Sequence, residues 1–247
     1  MQTVVFLGSK PIGYQCFEHL LIQSSQLGIK VTGLLTQQRK EFGGEHNLES
    51  LAAVHNVPVF SDPDEIPACD ILYSVQYHRI LTAAQLMKAT VRAVNLHMAP
   101  LPEYRGANQF SFAILEGKKE FGTTIHLMDP RIDHGDILFQ KRFPIPDSCW
   151  VHELYHKTET ESFELFRESL DAVINGPLDP VPQQTLISDR GTSLHFKKEM
   201  SNLKLIDLSA SREQIERQLR ATYMPGFEPP YLLIGNRKVH LIPDQSS

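Results

Sequence analysis

Residues 3–7, Thr-Val-Val-Phe-Leu, form an unbroken apolar run, and this run constrains the fold more than any other feature. A strand with apolar side chains on both faces must be buried on both faces. It belongs inside a layered parallel sheet. Gly8-Ser9-Lys10-Pro11-Ile12-Gly13 turns the chain at once, and Cys16, Phe17, Leu20 and Leu21 then recur at helical spacing. That spacing predicts a helix over 12–25. The alternation repeats. Strands are expected at 30–36, 57–60, 70–75 and 91–97, with short helices at 48–55 and 82–88 and a polar, mobile loop at 37–47 containing Gly43-Gly44. Such a pattern specifies an α/β fold with a Rossmann-like, doubly wound, mostly parallel sheet. Ligands of these sheets sit beyond the C-terminal strand ends. Loops 8–13, 76–81 and 97–106 should therefore converge there. The first turn lacks both the Lys-Ser/Thr of a P-loop and the third glycine of the dinucleotide fingerprint. It reads equally as a plain tight turn or as Ser9 and Lys10 at a helix N-terminus receiving an anion.

Beyond residue 97 a helix is expected at 107–116, then strands at 121–128 and 137–143 as a hairpin around the acidic turn 129–136. A long helix at 151–173 is apolar at Leu154, Phe163, Phe166 and Leu170. Pro177, Pro180 and Pro182 follow, and 183–199 reads as extended and surface-lying. In the tail, Ser209 is an expected N-cap for a helix over 210–221, which contains Arg212, Arg217 and Arg220. A hairpin of 232–234 and 239–242 about Gly235-Asn236 closes the chain. The organisation expected is a catalytic domain, 1–202, and a small C-terminal α+β appendage, 203–247, made of a helix and a β-hairpin.

Hydrophobic residues make up 41% and charged residues 21%, ordinary values for a soluble globular chain. A net charge of −5 argues against a nucleic-acid partner. Cys16, Cys69 and Cys149 are widely spaced and none falls in a metal-type pair, so neither a metal nor a disulfide framework is expected, and a reducing cytoplasm fits. The N-terminal residues read as a first strand, without the basic lead-in of a signal peptide. No run approaches the roughly 18 apolar residues of a membrane span.

The chemistry concentrates at 94–108. Alternation puts Asn95 and His97 on one face of a strand end, two residues apart. A carboxamide can donate to a developing oxyanion, and an imidazole can move a proton. Pro100 and Pro102 stop a helix from starting at once, which keeps the pair at an open edge. Asp133 is the natural third partner, because a carboxylate near an imidazole raises its basicity and fixes its orientation. His97 also reads as a structural histidine, and Asp133 as a turn-forming aspartate before His134-Gly135.

Together the motifs carry a resemblance. Asn95-x-His97, Leu101-Pro102-x-x-x-Gly106, and Met128-Asp129-x-x-Ile132-Asp133-x-Gly135-Asp136-Ile137-Leu138 resemble the formyltransferase family that uses N10-formyltetrahydrofolate. That family includes methionyl-tRNA formyltransferases, glycinamide ribonucleotide transformylases and sugar N-formyltransferases. The likeness spans roughly 1–200 and implies the formyltransferase fold. It implies Asn95, His97 and Asp133 as a catalytic triad and N10-formyltetrahydrofolate as formyl donor, with no metal. It also implies a folate pocket in the loops holding Tyr77, Arg79, Ile80, Leu81, Asp129, Ile132 and Asp133. The tRNA enzymes carry a larger C-terminal β-barrel, whereas here only residues 204–247 follow Leu203. The tail Pro225-Gly226-Phe227-Glu228-Pro229-Pro230-Tyr231 and the opening Leu7-Gly8-Ser9-Lys10-Pro11-Ile12-Gly13 are similar to bacterial nucleotide-sugar N-formyltransferases. The implied acceptor is a UDP- or dTDP-linked 4-amino-4,6-dideoxy sugar for surface glycan (lipopolysaccharide O-antigen) synthesis, and the implied assembly a homodimer. Ser9, Lys10, Arg105, Gly106 and Asn108 would line its pocket. Lys10 and Arg105 would hold a pyrophosphate, while Phe227, Tyr223 or Tyr231 would stack on the base. Methionyl-tRNA as acceptor, or a non-catalytic folate- or nucleotide-binding protein, are the alternatives.

Overall fold

Val4, Val5, Phe6 and Leu7 have no exposed surface, as an apolar run on both faces demands. The computed structural model describes residues 1–37 and 47–243. In chain order the first elements are β1 (Gln2–Gly8), α1 (Pro11–Gln23), β2 (Ile29–Leu35), α2 (Leu48–Val54), β3 (Val59–Phe60), β4 (Cys69–Val75), α3 (Ala83–Leu86) and β5 (Ala89–His97). Then come β6 (Tyr104–Gly106), α4 (Gln109–Leu115), β7 (Glu120–Leu127), β8 (Ile137–Pro144) and α5 (Val151–Asn175). The last are α6 (Ile187–Arg190), β9 (Ser193–His195), α7 (Met200–Leu203), α8 (Arg212–Thr222), β10 (Tyr231–Ile234) and β11 (Arg237–His240). The body of the polar loop expected at 37–47 lies outside the described residues.

The main sheet runs β3-β2-β1-β4-β5-β7-β8. Its first five strands are parallel, β7 runs antiparallel to β5, and β8 runs antiparallel to β7. The antiparallel pair follows from chain length, because residues 128–136 are too short for a helical crossover. β1 divides its side chains between two cores. Val4 and Phe6 join Phe17, Tyr73 and Phe166 on the face covered by α1 and α5, while Val5 and Leu7 join Leu35, Leu72 and Leu81 on the other. Phe6 and Phe17 ring centroids are 5.1 Å apart, and Tyr73 and Phe166 5.0 Å. Each such side chain contributes about 1.5–3 kcal/mol by leaving water. Strand order reverses about β1 and β4, which opens a crevice at their C-terminal ends.

Two expectations are corrected. Segment 183–199 is not an extended surface ribbon. It holds a 3₁₀ turn at Gln183–Thr185, then α6, then β9. Gln183 is buried, and Arg190 forks onto Glu103 through Nε at 3.0 Å and Nη2 at 3.1 Å. These long-range contacts, invisible to local periodicity, hold the segment down. β9 is extended because it pairs with β6, a strand the sequence reading did not anticipate. The tail helix starts at Arg212, one residue after Ser211, and not after Ser209. Ser211 and Gln214 form a reciprocal capping box, while Ser209 Oγ donates to Asp207 Oδ1 at 2.7 Å.

The C-terminal elements close one wall of the crevice. α8 lies against α4 and α5. Ala221 and Met224 join Ala113, Ile114, Val151 and Leu154 in one apolar cluster. β10 is tied to the core by Tyr231 N–H donating to Lys204 O at 2.8 Å and Ile206 N–H donating to Tyr231 O at 2.9 Å.

Candidate active site

β5 ends inside the crevice and delivers Asn95 and His97. Antiparallel pairing sets Asn95 opposite His126 of β7, with Asn95 Nδ2 3.1 Å from His126 Nε2. His126 Nδ1 lies 2.7 Å from the Leu127 carbonyl, which can only accept. Nδ1 therefore carries the proton, and Nε2 accepts from the Asn95 amide. One Nδ2 hydrogen is committed, the orientation of the carboxamide is fixed, and the second hydrogen stays available for a reacting oxygen. His126 was not foreseen. Its signal was the alternation of 121–128, which, once β7 pairs with β5, puts it beside Asn95 on the same face of the sheet.

His97 is buried, and its Nε2 lies 2.8 Å from the Tyr104 carbonyl. By the same reasoning Nε2 holds the proton and Nδ1 carries the lone pair. Nδ1 lies 3.6 Å from Asp133 Oδ2. Burial pushes the pKa of His97 down and Asp133 pushes it back up, with a net lowering. His97 is thus neutral at pH 7 and presents a free basic nitrogen. Burial raises the Asp133 carboxyl, but the positive charge that His97 and His126 carry when protonated in acid, with the Gly106 amide, holds it well below the usual carboxylate range.

The loop carrying Asp133 is sharply constrained. Asp133 takes a left-handed backbone, φ 46°, and its Oδ2 accepts from Gly106 N–H at 2.9 Å. Gly106, at φ 86°, sits where a Cβ would lie 2.2 Å from the His195 carbonyl oxygen. Gln183 braces the loop from behind, its Nε2 donating to the carbonyls of Asp133 at 3.0 Å and Gly135 at 2.7 Å. Replacing Gln183 by Leu strips both bonds from a buried loop. The expected result is a loss of about 1–3 kcal/mol in stability and a kcat lowered about tenfold through a displaced Asp133. Thermal melting with steady-state kinetics checks it. An unchanged kcat in a destabilised enzyme removes the positioning role.

Two cavities meet at this cluster. The larger, of about 440 Å³, is lined by His97; the other, of about 370 Å³, by His126. Tyr77, His78, Asn95, Gly106, Ala107, Asp133 and Lys197 line both. Tyr77, Arg79, Ile80, Leu81, Asp129, Ile132 and Asp133, all expected at the folate pocket, line the smaller one. Met128, His195 and Phe196 add to it. Lys10, Gly106, Asn108 and Phe227, expected at the acceptor pocket, line the larger one. Tyr155, Met200, Lys204, Thr222 and Met224 were missed there, because α5, α7 and the tail meet the crevice only through tertiary packing.

Three expected acceptor residues line neither cavity. Ser9 is used internally, its Oγ donating to Gln76 O at 2.8 Å. Tyr223 packs edge-on against Trp150 at 6.1 Å between centroids. Arg105 lies in β6, and its Nε is buried without a hydrogen-bond partner among the described residues. Lys10 Nζ donates to Gln76 Oε1 at 2.9 Å at the β1/β4 crevice. Among the described residues there is no cluster of metal-type ligands and no helix long and apolar enough to cross a membrane.

Residues 65–170 match the family described as formyl transferase. A methionyl-tRNA formyltransferase of Lactobacillus gasseri is 30% identical over 237 residues, a stretch covering 90% of this chain and 72% of that protein. Among solved structures, an N-formyltransferase from Helicobacter canadensis, in complex with folinic acid and dTDP-3-aminofucose, superposes with a TM-score of 0.77 at 21% identity. It covers 97% of this chain and 86% of that one. A 4-N formyltransferase from Francisella tularensis superposes with a TM-score of 0.76 at 20% identity, covering 99% and 98%.

Proposed function

Because the chain belongs to the formyl transferase family, we propose that it formylates the amine of a nucleotide-linked amino sugar. The chain is an N10-formyltetrahydrofolate-dependent N-formyltransferase; the acceptor and the residue roles are our reading. One observation carries it: two cavities share Asn95 and Asp133, and His97 lines the larger cavity and not the smaller. Donor and acceptor can then approach from opposite sides of one carboxamide and one carboxylate.

The smaller cavity fits the donor. Tyr77, Ile80, Leu81 and Met128 supply apolar walls for a flat ring, with Asp129 and two arginines, Arg79 and Arg131, at its polar rim. When bound, N10-formyltetrahydrofolate supplies a formyl group already activated for transfer. His97 Nδ1 takes the proton from the attacking amine. The second Asn95 Nδ2 hydrogen donates to the formyl oxygen as negative charge gathers there. Asp133 steadies His97 once Nδ1 is protonated; the bond between the formyl carbon and the donor nitrogen then breaks, and that nitrogen would take the proton back and leave as tetrahydrofolate.

The larger cavity suits a nucleotide-linked sugar. Phe227 and Tyr155 offer aromatic faces for a base, and lysines supply positive charge in a chain whose net charge is −5. The Helicobacter canadensis protein, of like fold, was captured with a dTDP-linked amino sugar. A second reading, methionyl-tRNA as acceptor, is favoured by the identity to methionyl-tRNA formyltransferases. Release of tetrahydrofolate, followed across a panel of dTDP- and UDP-linked 3-amino and 4-amino sugars, tests the proposal. Turnover with one or more of them is expected, and no turnover with any of them overturns it.

The pH profile follows from His97. Its neutral form is active, so kcat falls as pH drops through a pKa below the ordinary value of about 6.5. Asp133 raises that pKa, so Asp133→Asn should move the acid limb to lower pH while lowering kcat. A limb that moves to higher pH contradicts the assignment of His97 as base.

A further inference from the structure

We propose that Lys204, just beyond the C-terminal end of α7, is the anchor for the diphosphate of the acceptor. This rests on the nucleotide-sugar reading and names the group that recognises its charge. Lys204 lines the larger cavity and is 8% exposed. Its backbone is pinned on both sides, with N–H donating to Met200 O at 3.2 Å and C=O accepting from Tyr231 N–H at 2.8 Å. The side chain therefore starts from a fixed point on the seam between α7 and β10.

The ammonium has no local partner. Among the described residues no hydrogen bond or ion pair is made by Lys204 Nζ. Glu228 acts on it electrostatically but is already taken, accepting from Lys238 Nζ at 2.8 Å. Burial accordingly lowers the pKa of Lys204. A lysine this far buried, with no carboxylate bonded to its ammonium, leaves its charge to whatever enters the cavity. Its surroundings in the cavity, Met200, Met224, Thr222 and Phe227, supply none.

The wider cavity points the same way. Lys10 from the first turn, Lys197 from the segment after β9, and Lys204 all line it, against Asp133 as the carboxylate among the lining residues. An acidic chain has gathered three lysines around one space. A lysine binds phosphate as a compact point charge, and two linked phosphates offer enough negative charge to engage more than one of them. Phe227, 54% exposed on the same wall, is placed to cover the base attached to that diphosphate.

Lys204→Met keeps the stem and removes the charge. Because the charge is unpaired, the variant should melt at or above the wild-type temperature. The expected result is a KM for the nucleotide-linked amino sugar raised roughly tenfold or more, with kcat and the donor KM within about twofold. Calorimetric binding of dTDP and UDP should weaken by the same factor, thymidine and uridine binding should not change, and Lys204→Arg should recover part of the loss. Nucleoside diphosphate binding equal in wild type and Lys204→Met overturns the inference. So does wild-type protein that binds neither diphosphate. Diphosphate binding that depends on Lys204, in an enzyme that formylates no nucleotide-linked sugar, keeps the anchor and overturns the sugar reading.

Discussion

The His97→Ala enzyme is expected to lose about 10²–10⁴-fold in kcat, the range that a positioned proton acceptor supplies. Its KM values should stay within a few fold, because His97 Nδ1 acts on the proton of the amine and not on the bulk of either ligand. The imidazole is buried, and its removal orphans the Tyr104 carbonyl, so a loss of about 1–3 kcal/mol in stability accompanies it. Melting separates the two effects. A folded variant at reduced temperature that regains turnover with added imidazole carries the base role. A folded variant with kcat within a few fold of wild type removes it.

Gly135→Ala should be the most damaging change at the site that touches no ionisable group. A Cβ on Gly135 would lie 1.9 Å from the Leu127 carbonyl oxygen and 2.7 Å from its carbon. Neither is the end of a flexible side chain, so the turn after β7 must open. That turn carries Asp133 at φ 46° and is braced by Gln183 onto the Gly135 carbonyl. Strain and lost bonds of this kind cost about 2–4 kcal/mol. For a chain of this size that is a fall of roughly 5–15 °C in Tm. Because Asp133 moves with the turn, kcat should drop about 10²-fold as well. A melting curve and a kcat both close to wild type would show that the loop tolerates displacement and that its geometry is not what positions the carboxylate.

Much of this arrangement is legible in the sequence. β1 announced a buried parallel sheet because Val4 to Leu7 are apolar on both faces. Asn95 and His97 announced a site because strand period puts them side by side, and the motif around Asp133 resembled one family. What could not be read lies in contacts between distant segments. The tautomer of His97 depends on the Tyr104 carbonyl and that of His126 on Leu127. Gln183 was placed on an extended surface ribbon, yet it braces the catalytic-loop candidate, since a lone glutamine after prolines has no periodic signal. Lys204 was missed for the same reason. Arg105 and Tyr223 carried the right chemistry in nearby segments, but Arg105 lines neither cavity and Trp150 engages Tyr223.

The most direct test of the central claim is a competition in one vessel. Wild-type enzyme receives N10-formyltetrahydrofolate labelled in its formyl carbon, together with dTDP- and UDP-linked amino sugars and methionyl-tRNA, and the label is followed into each product. The account predicts label on the amine of a nucleotide-linked sugar, with transfer abolished in His97→Ala. Label on methionyl-tRNA alone contradicts it.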